Sequence, residues 1–247
     1  MSDFDISVII NGHKEGLLAK PSLLSLSQNV MMAENSGRSV EAILVLDRPD
    51  DGTLELFSEF AAEHSWARLL AVDFGDLGLA RNAGVDASAG EWIAFLDADD
   101  LWGANWLVSA LKTARMDTRM VVWHPELNVY FGHDPHVYQH IDMEDPDFTL
   151  SSLALSNCWT ALCFAKRDML IRIPYRMTEI SKQIGYEDWS WHLETISHGV
   201  IHKIVPGTGH VIRRKRASLV AETNSARCMP RPSDLFCNDI DQRYLGV

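Results

Sequence analysis

The chain has no uncharged apolar run of about 18 residues, so no transmembrane helix is expected. It has no basic excess either. Its 22 Lys and Arg stand against 34 Asp and Glu, a net charge of −12, which excludes general nucleic-acid binding and a membrane surface held by charge alone. Cysteine is scarce: Cys158, Cys163, Cys228 and Cys237 form no CxxC pair and match no metal-finger spacing. Scattered thiols in a chain of this size suit a reducing compartment, and a cytoplasmic location is the expectation. The opening residues Met1 to Asp5 lack an apolar core, so no secretory leader is expected. Internal repeats and low-complexity segments are missing as well. Peripheral membrane contact and homo-oligomerisation stay open.

What is present is a chain of 247 residues, 47% hydrophobic, enough for one large α/β domain. Apolar runs at Ile6–Ile10, Glu41–Leu46, Leu69–Phe74 and Trp92–Leu96 read as strands. Between them, apolar residues at helical spacing (Leu23, Leu26, Val30, Ala33; Leu54, Phe57, Ala61; Leu79, Ala83, Ala87) read as helices, the first opened by Pro21. Ala104–Arg115 is a fourth helix. Strand and helix alternating four times predict a parallel sheet with helices on both faces. Residues 116–247 are less regular. Strands are expected at Met120–Trp123, Leu127–Phe131, Asn157–Ala165 and Val200–Val205, with Val211–Arg216 before a polar tail. Helices are expected at Arg167–Ile171 and from Gly185 to Thr195, and a polar loop at His133–Phe148.

The stretch with the clearest chemistry is Glu91-Trp92-Ile93-Ala94-Phe95-Leu96-Asp97-Ala98-Asp99-Asp100. A buried strand ending at acids places them at the carboxyl edge of the sheet, where open α/β sheets bind ligands. If the chain stays extended, Asp97 and Asp99 project to one side, roughly 7 Å apart. Two convergent carboxylates call for a hard divalent cation, Mg²⁺ or Mn²⁺; the plain alternative is a solvated acidic loop. A second strand end carries Asp47. His133, His136 and His140 have no finger spacing and are read as ordinary loop histidines.

Five segments together resemble family 2 glycosyltransferases of the GT-A type. They are Ile6–Glu15; Leu46-Asp47 with Asp51-Gly52-Thr53; Gly78-Leu79-Ala80-Arg81-Asn82-Ala83-Gly84 followed by Gly90 to Asp100; Glu187-Asp188; and Arg213-Arg214-Lys215-Arg216-Ala217-Ser218. The resemblance implies a GT-A fold: a mostly parallel central sheet with helices on both faces. Residues 1–115 would be the nucleotide-sugar half and 116–247 an irregular acceptor-side half, within one domain. It also implies transfer of a sugar from a nucleotide diphosphate, a UDP-sugar by default, to an acceptor hydroxyl with inversion. A glycan, a lipid-linked or a small-molecule acceptor would serve, the setting being bacterial surface polysaccharide or other glycan synthesis.

The resemblance also assigns roles. Asp99 would hold Mn²⁺ or Mg²⁺ on the diphosphate, and Asp97 would face the ribose or share the metal. Asn11, Gly12, His13, Glu15, Asp47, Arg81, Asn82, Asp97, Ala98, Asp99, Arg213 and Lys215 would line the donor site. Asp47 would accept from a uracil-type base, its plain alternative being a helix N-cap. Arg81 would neutralise phosphate or brace the aspartates, its alternative being a surface pair with Asp86 or Glu91, and Asn82 would hold a loop. Asp188, ionised at the positive end of a helix dipole, would be the general base, with Glu187 as runner-up. Trp189 and Trp191 would offer a sugar platform or pack in the core. Three departures stand out: Asn11-Gly12-His13-Lys14 for the usual P-T-Y-N, Arg48 for a common second acid, and Lys215 for a His. Competing readings are a GT-A fold that binds without turnover and a phosphohydrolase of the haloacid dehalogenase type.

Overall fold

The computed structural model describes residues 3–216 and 218–235; Ala217 and Cys237, named above, lie outside them. The first four strands are β1 (Phe4–Gly12), β2 (Val40–Asp47), β3 (Ala67–Val72) and β4 (Gly90–Asp97). They are mutually parallel in the order β3-β2-β1-β4. Helices α1 (Ala19–Asn35), α2 (Asp51–Glu63) and α3 (Leu77–Ala87) connect them. The sheet continues through the two-residue strand β5 (Leu101–Trp102), β6 (Val121–Gly132), β7 (His136–Gln139), β8 (Phe164–Lys166) and β9 (Ile201–Arg214). Its full order is β3-β2-β1-β4-β8-β6-β9-β5, with β7 also on β6. The remaining helices are α4 (Trp106–Ala114), α5 (Arg167–Arg172), α6 (Glu187–Ser197) and α7 (Leu219–Ser225).

Strand alternation sorts the helices onto the two faces. Ile6, Val8 and Ile10 of β1 pack with α1, α2 and α4. Ile9, Ile43, Val45, Ile93 and Phe95 face α3, α5 and Trp191 of α6. The strands are apolar on both sides because both sides are covered. Gly84 shows how tightly α3 sits on the sheet: a Cβ there would lie 2.5 Å from Ile9 Cγ2 and 3.1 Å from Val45 Cγ2.

Several boundaries differ from expectation. Pro21 does not open α1; a 3₁₀ turn at Gly16–Leu18 leads into it two residues earlier. The third strand is shifted to Ala67–Val72. The two short strands expected around His124-Pro125-Glu126 are one strand, β6, with its register shift between Pro125 and Leu127. Val200–Val205 and Val211–Arg216 likewise merge into β9, because β6 and β9 pair along their whole length. Asn157–Ala165 was expected to be a strand, but only Phe164 onward pairs. The expected loop His133–Phe148 contains β7. No described helix is long and apolar enough to cross a membrane.

Candidate active site

The chain winds outward from β1 through β2 to β3, then returns to β4 on the other side of β1. Loops leaving β1 and β4 therefore diverge, opening a crevice at their carboxyl ends. Asn11 and Asp97 are register partners at this point. Asn11 is buried, and its amide nitrogen and oxygen have no partner among the described residues. Its carbonyl accepts from the Ala98 amide at 2.8 Å. Gly12 closes the strand where a Cβ would meet Leu46 Cδ2 at 2.8 Å and Ala98 Cβ at 3.3 Å. Glu15 Oε2 accepts from the His13 amide at 2.6 Å, and the His13 ring Nδ1 rests on the Asp47 carbonyl.

Beside Asp97 the site is organised by Arg81, which is fully buried. Its Nη1 donates to Glu187 Oε1 at 2.8 Å, and its Nη2 reaches both Asp97 oxygens at 3.2 and 3.3 Å. Its guanidinium lies over the Tyr175 ring, 5.4 Å from the centroid. One cation thus ties the end of β4 to the start of α6. Asn82, one residue on, clamps Tyr175 through both backbone groups, at 2.9 and 3.0 Å. Arg81 is buried against Glu187 and Asp97 and is not a surface pair with Asp86 or Glu91.

The next acids do not follow the extended alternation. β4 ends at Asp97, and Asp100 N closes a turn on the Asp97 carbonyl at 3.0 Å. Asp97 faces Arg81 while Asp99 Oδ2 pairs with Lys215 Nζ at 2.6 Å. Asp100, buried, accepts from the Arg213 amide at 2.6 Å. Arg213 also donates to the Asp99 carbonyl at 3.3 Å and lies over Phe131, 4.5 Å from its ring centroid. Burial, with repulsion from the other acids, holds Asp97 above its ordinary pKa and Asp100 well above it.

Asp188 begins α6 next to Glu187. Its Oδ2 accepts from Asn157 Nδ2 at 3.0 Å and its Oδ1 from the Trp189 amide at 2.7 Å. The helix start does not keep this carboxylate at an ordinary pKa. Burial and the neighbouring Glu187 push it up to about 7, against the pull of Arg81.

Residues 7–173 match the family model described as glycosyl transferase family 2. The chain belongs to glycosyl transferase family 2. Over 84 residues it is 31% identical to EpsH of Bacillus subtilis (strain 168), itself a glycosyltransferase by inference; this covers 34% of the chain and 24% of EpsH. Among solved structures it resembles S. aureus TarS 1-349 in complex with UDP-GlcNAc, with TM-score 0.66 and 15% identity, over 94% of this chain and 63% of that one. It also resembles the mannosyltransferase PcManGT from Pyrobaculum calidifontis in complex with GDP-Man and Mn²⁺, with TM-score 0.63 and 16% identity, over 94% of this chain and 67% of that one. These likenesses show the GT-A fold. The chain spans about a quarter of the length of EpsH and under two thirds of the TarS fragment.

Within this family 2 domain, Asp47 is buried and already engaged: it accepts from the amides of Phe74, Gly75 and Asp76 at 2.8, 3.0 and 3.0 Å. It is not a helix cap, since Asp50 caps α2 through the Thr53 amide at 2.9 Å. Arg48, with φ of 53°, turns away from the edge onto Asp73. Trp191 packs in the core, stacking on Tyr175 and donating to the Ile173 carbonyl at 2.7 Å, while Trp189 is half-buried and donates to the Leu153 carbonyl at 2.9 Å. His133 and His136 are exposed, while His140 is buried and donates to the Pro125 carbonyl at 2.7 Å; they do not converge. Sequence reasoning passed over Asp100, Asn157 and Tyr175. Asp100 had a signal, as the third acid of the run. Asn157 and Tyr175 had none, since each acts through contacts with residues far away in sequence.

Proposed function

We propose that this domain transfers a sugar from a nucleotide diphosphate, UDP by preference, to an acceptor hydroxyl with inversion, using Asp188 as the general base. The observation that carries the reading is Arg81, which fixes the acids at the donor edge and the start of α6 in one rigid unit. A base must sit within hydrogen-bond reach of the proton it removes, and its pKa should lie near the working pH. Asp188, pushed to about 7 and oriented by Asn157, meets the second requirement. Glu187 is committed to Arg81, which leaves Asp188 for the proton. One base opposite the departing diphosphate inverts the anomeric centre. In this reading residues 1–115 bind the donor and 116–247 supply the base and the acceptor surface.

The crevice also suits a divalent cation. Asp97, Asp99, Asp100, Glu187 and Asp188 gather five carboxyl groups around the cations Arg81, Arg213 and Lys215. An all-oxygen donor set favours a hard ion, Mn²⁺ or Mg²⁺, which Asp99 and Asp97 would hold. Bound there, such an ion acts as a Lewis acid for the leaving diphosphate. Lys215, in ion-pair contact with Asp99, adds a fixed positive charge beside the diphosphate. The unpartnered Asn11 amide offers a donor and an acceptor to the nucleoside.

Thermal unfolding with UDP, dTDP and GDP, each with and without Mn²⁺, tests the reading, because a ligand of the folded state raises Tm by an amount that grows with the logarithm of one plus the ratio of free ligand concentration to Kd. UDP with Mn²⁺ is expected to give the largest rise, reduced in Asp99→Asn. No nucleotide-dependent rise, or product NMR showing a retained anomeric configuration, overturns it. Donor binding without hydrolysis or transfer to any acceptor favours a binding protein on the same fold.

A further inference from the structure

Behind the active site, three buried histidines converge from three elements: His124 on β6, His192 on α6 and His202 on β9. One nitrogen from each lies within 4.8 Å of the others. We propose that these three imidazoles bind one transition-metal ion of the kind that prefers nitrogen ligands, Zn²⁺ foremost, at a site separate from the acidic crevice.

The hydrogen bonds fix the protons. Thr195 Oγ1 donates to the His192 carbonyl at 2.8 Å, so it accepts from His202 Nε2 at 2.8 Å, and His202 Nδ1 carries a lone pair. Asn157 turns its amide nitrogen to Asp188, so its oxygen accepts from His192 Nδ1 at 2.9 Å. His192 Nε2 is then a bare lone pair, and it has no partner among the described residues. His124 Nε2 lies 2.9 Å from His202 Nδ1 and holds the single proton between them. Moving that proton to His124 Nδ1, which is unpartnered among the described residues, frees one lone pair on each of the three clustered rings. No proton has to leave the protein. Nitrogen ligands of a tetrahedral ion with bonds of about 2.0–2.1 Å lie roughly 3.4 Å apart, a small opening of the observed contact. Burial holds all three rings neutral, as metal ligands must be. Imidazole nitrogens favour Zn²⁺ and its neighbours over Mg²⁺ or Mn²⁺. Outer hydrogen bonds from ligand histidines to fixed oxygens, here Asn157 and Thr195, are the usual support of such sites.

The site has a consequence that rests on the transferase reading. An ion on His192 Nε2 strengthens the His192–Asn157 bond and so holds the Asn157 amide toward Asp188. The metal assignment itself is independent of turnover.

The test is metal content of the full chain prepared without a polyhistidine tag and dialysed against excess Mg²⁺. About one zinc per chain is expected, retained in Asp99→Asn and lost in His192→Ala. After chelation, cobalt is expected to restore the intense visible absorption of tetrahedral nitrogen ligation, and zinc to raise Tm by about 5 °C or more at saturating concentration. Should His192→Ala fail to fold, the zinc content and cobalt spectrum of the unaltered protein decide alone. Absence of that absorption, or equal zinc in a folded His192→Ala protein, overturns the proposal.

Discussion

The two halves of the sheet are built from different interiors. Around β1–β4 the core is aliphatic: Ile6, Val8, Ile10, Leu44, Leu46 and their neighbours are fully buried and need nothing but volume. Around β6 and β9 the interior holds His124, His140, His192, His202 and His210, all buried, interleaved with Trp159 and Trp191. The first interior is specified by packing, the second largely by a side-chain hydrogen-bond network through His124, His192 and His202. Arg81 is the joint between them, reaching from α3 to the first residue of α6.

Breaking that joint has the largest expected effect. Arg81→Met leaves buried Glu187 and half-buried Asp97 without their counter-charge, at a cost of about 3–5 kcal/mol; urea unfolding measures it, and donor binding should fall with it. Asp188→Asn comes next: turnover is expected to drop roughly 10²- to 10⁴-fold with thermal stability kept at pH 8. The same residue sets a pH dependence. Its folded pKa of about 7 exceeds the ordinary carboxyl value of 3.8, so the native state holds a proton that the unfolded chain has lost. Stability therefore falls as pH rises from about 4 through about 7, while the active, ionised form grows in over the upper part of that window. Unfolding midpoints and rates measured between pH 5 and 8 should move in opposite directions, and Asp188→Asn should flatten this residue's share of the stability trend.

Smaller effects probe each interior separately. Gly84→Ala forces a Cβ against Ile9 and Val45 and is expected to cost about 1–3 kcal/mol by overpacking. His210, buried beside Trp106 with both ring nitrogens unpartnered among the described residues, lies in the polar interior yet makes no hydrogen bond to them. His210→Leu should be neutral or stabilising by up to about 1 kcal/mol. A marked loss instead would show that His210 belongs to the histidine network after all.

The first half was readable because its signals are local. Apolar runs, glycine turns and the acids at strand ends occur within a few residues of one another, so the βα alternation and the stretch from Gly78 to Asp100 carried the family likeness. The second half misled at Asn157–Ala165, where an apolar run lacks a neighbouring strand until Phe164, and at β6 and β9, where turn-like Pro125 and Pro206 sit inside continuous strands. Extended geometry was assumed for Asp97 to Asp99, but the turn closed by the Asp100 amide sends the two carboxylates to different cations.

From its residues alone, the chain's class, the parallel pairing of its first strands and the acids that end them were determined, since hydrophobic period and turn chemistry act over short range; the order of the strands came from the fold. Folding decided which cation or amide each carboxylate pairs with. Arg81 and Glu187 are 106 positions apart, and His124 and His202 are separated by 78. Contacts at such separations depend on how the sheet brings helices and strands together, because burial and ion pairing belong to the packed whole and not to any one segment.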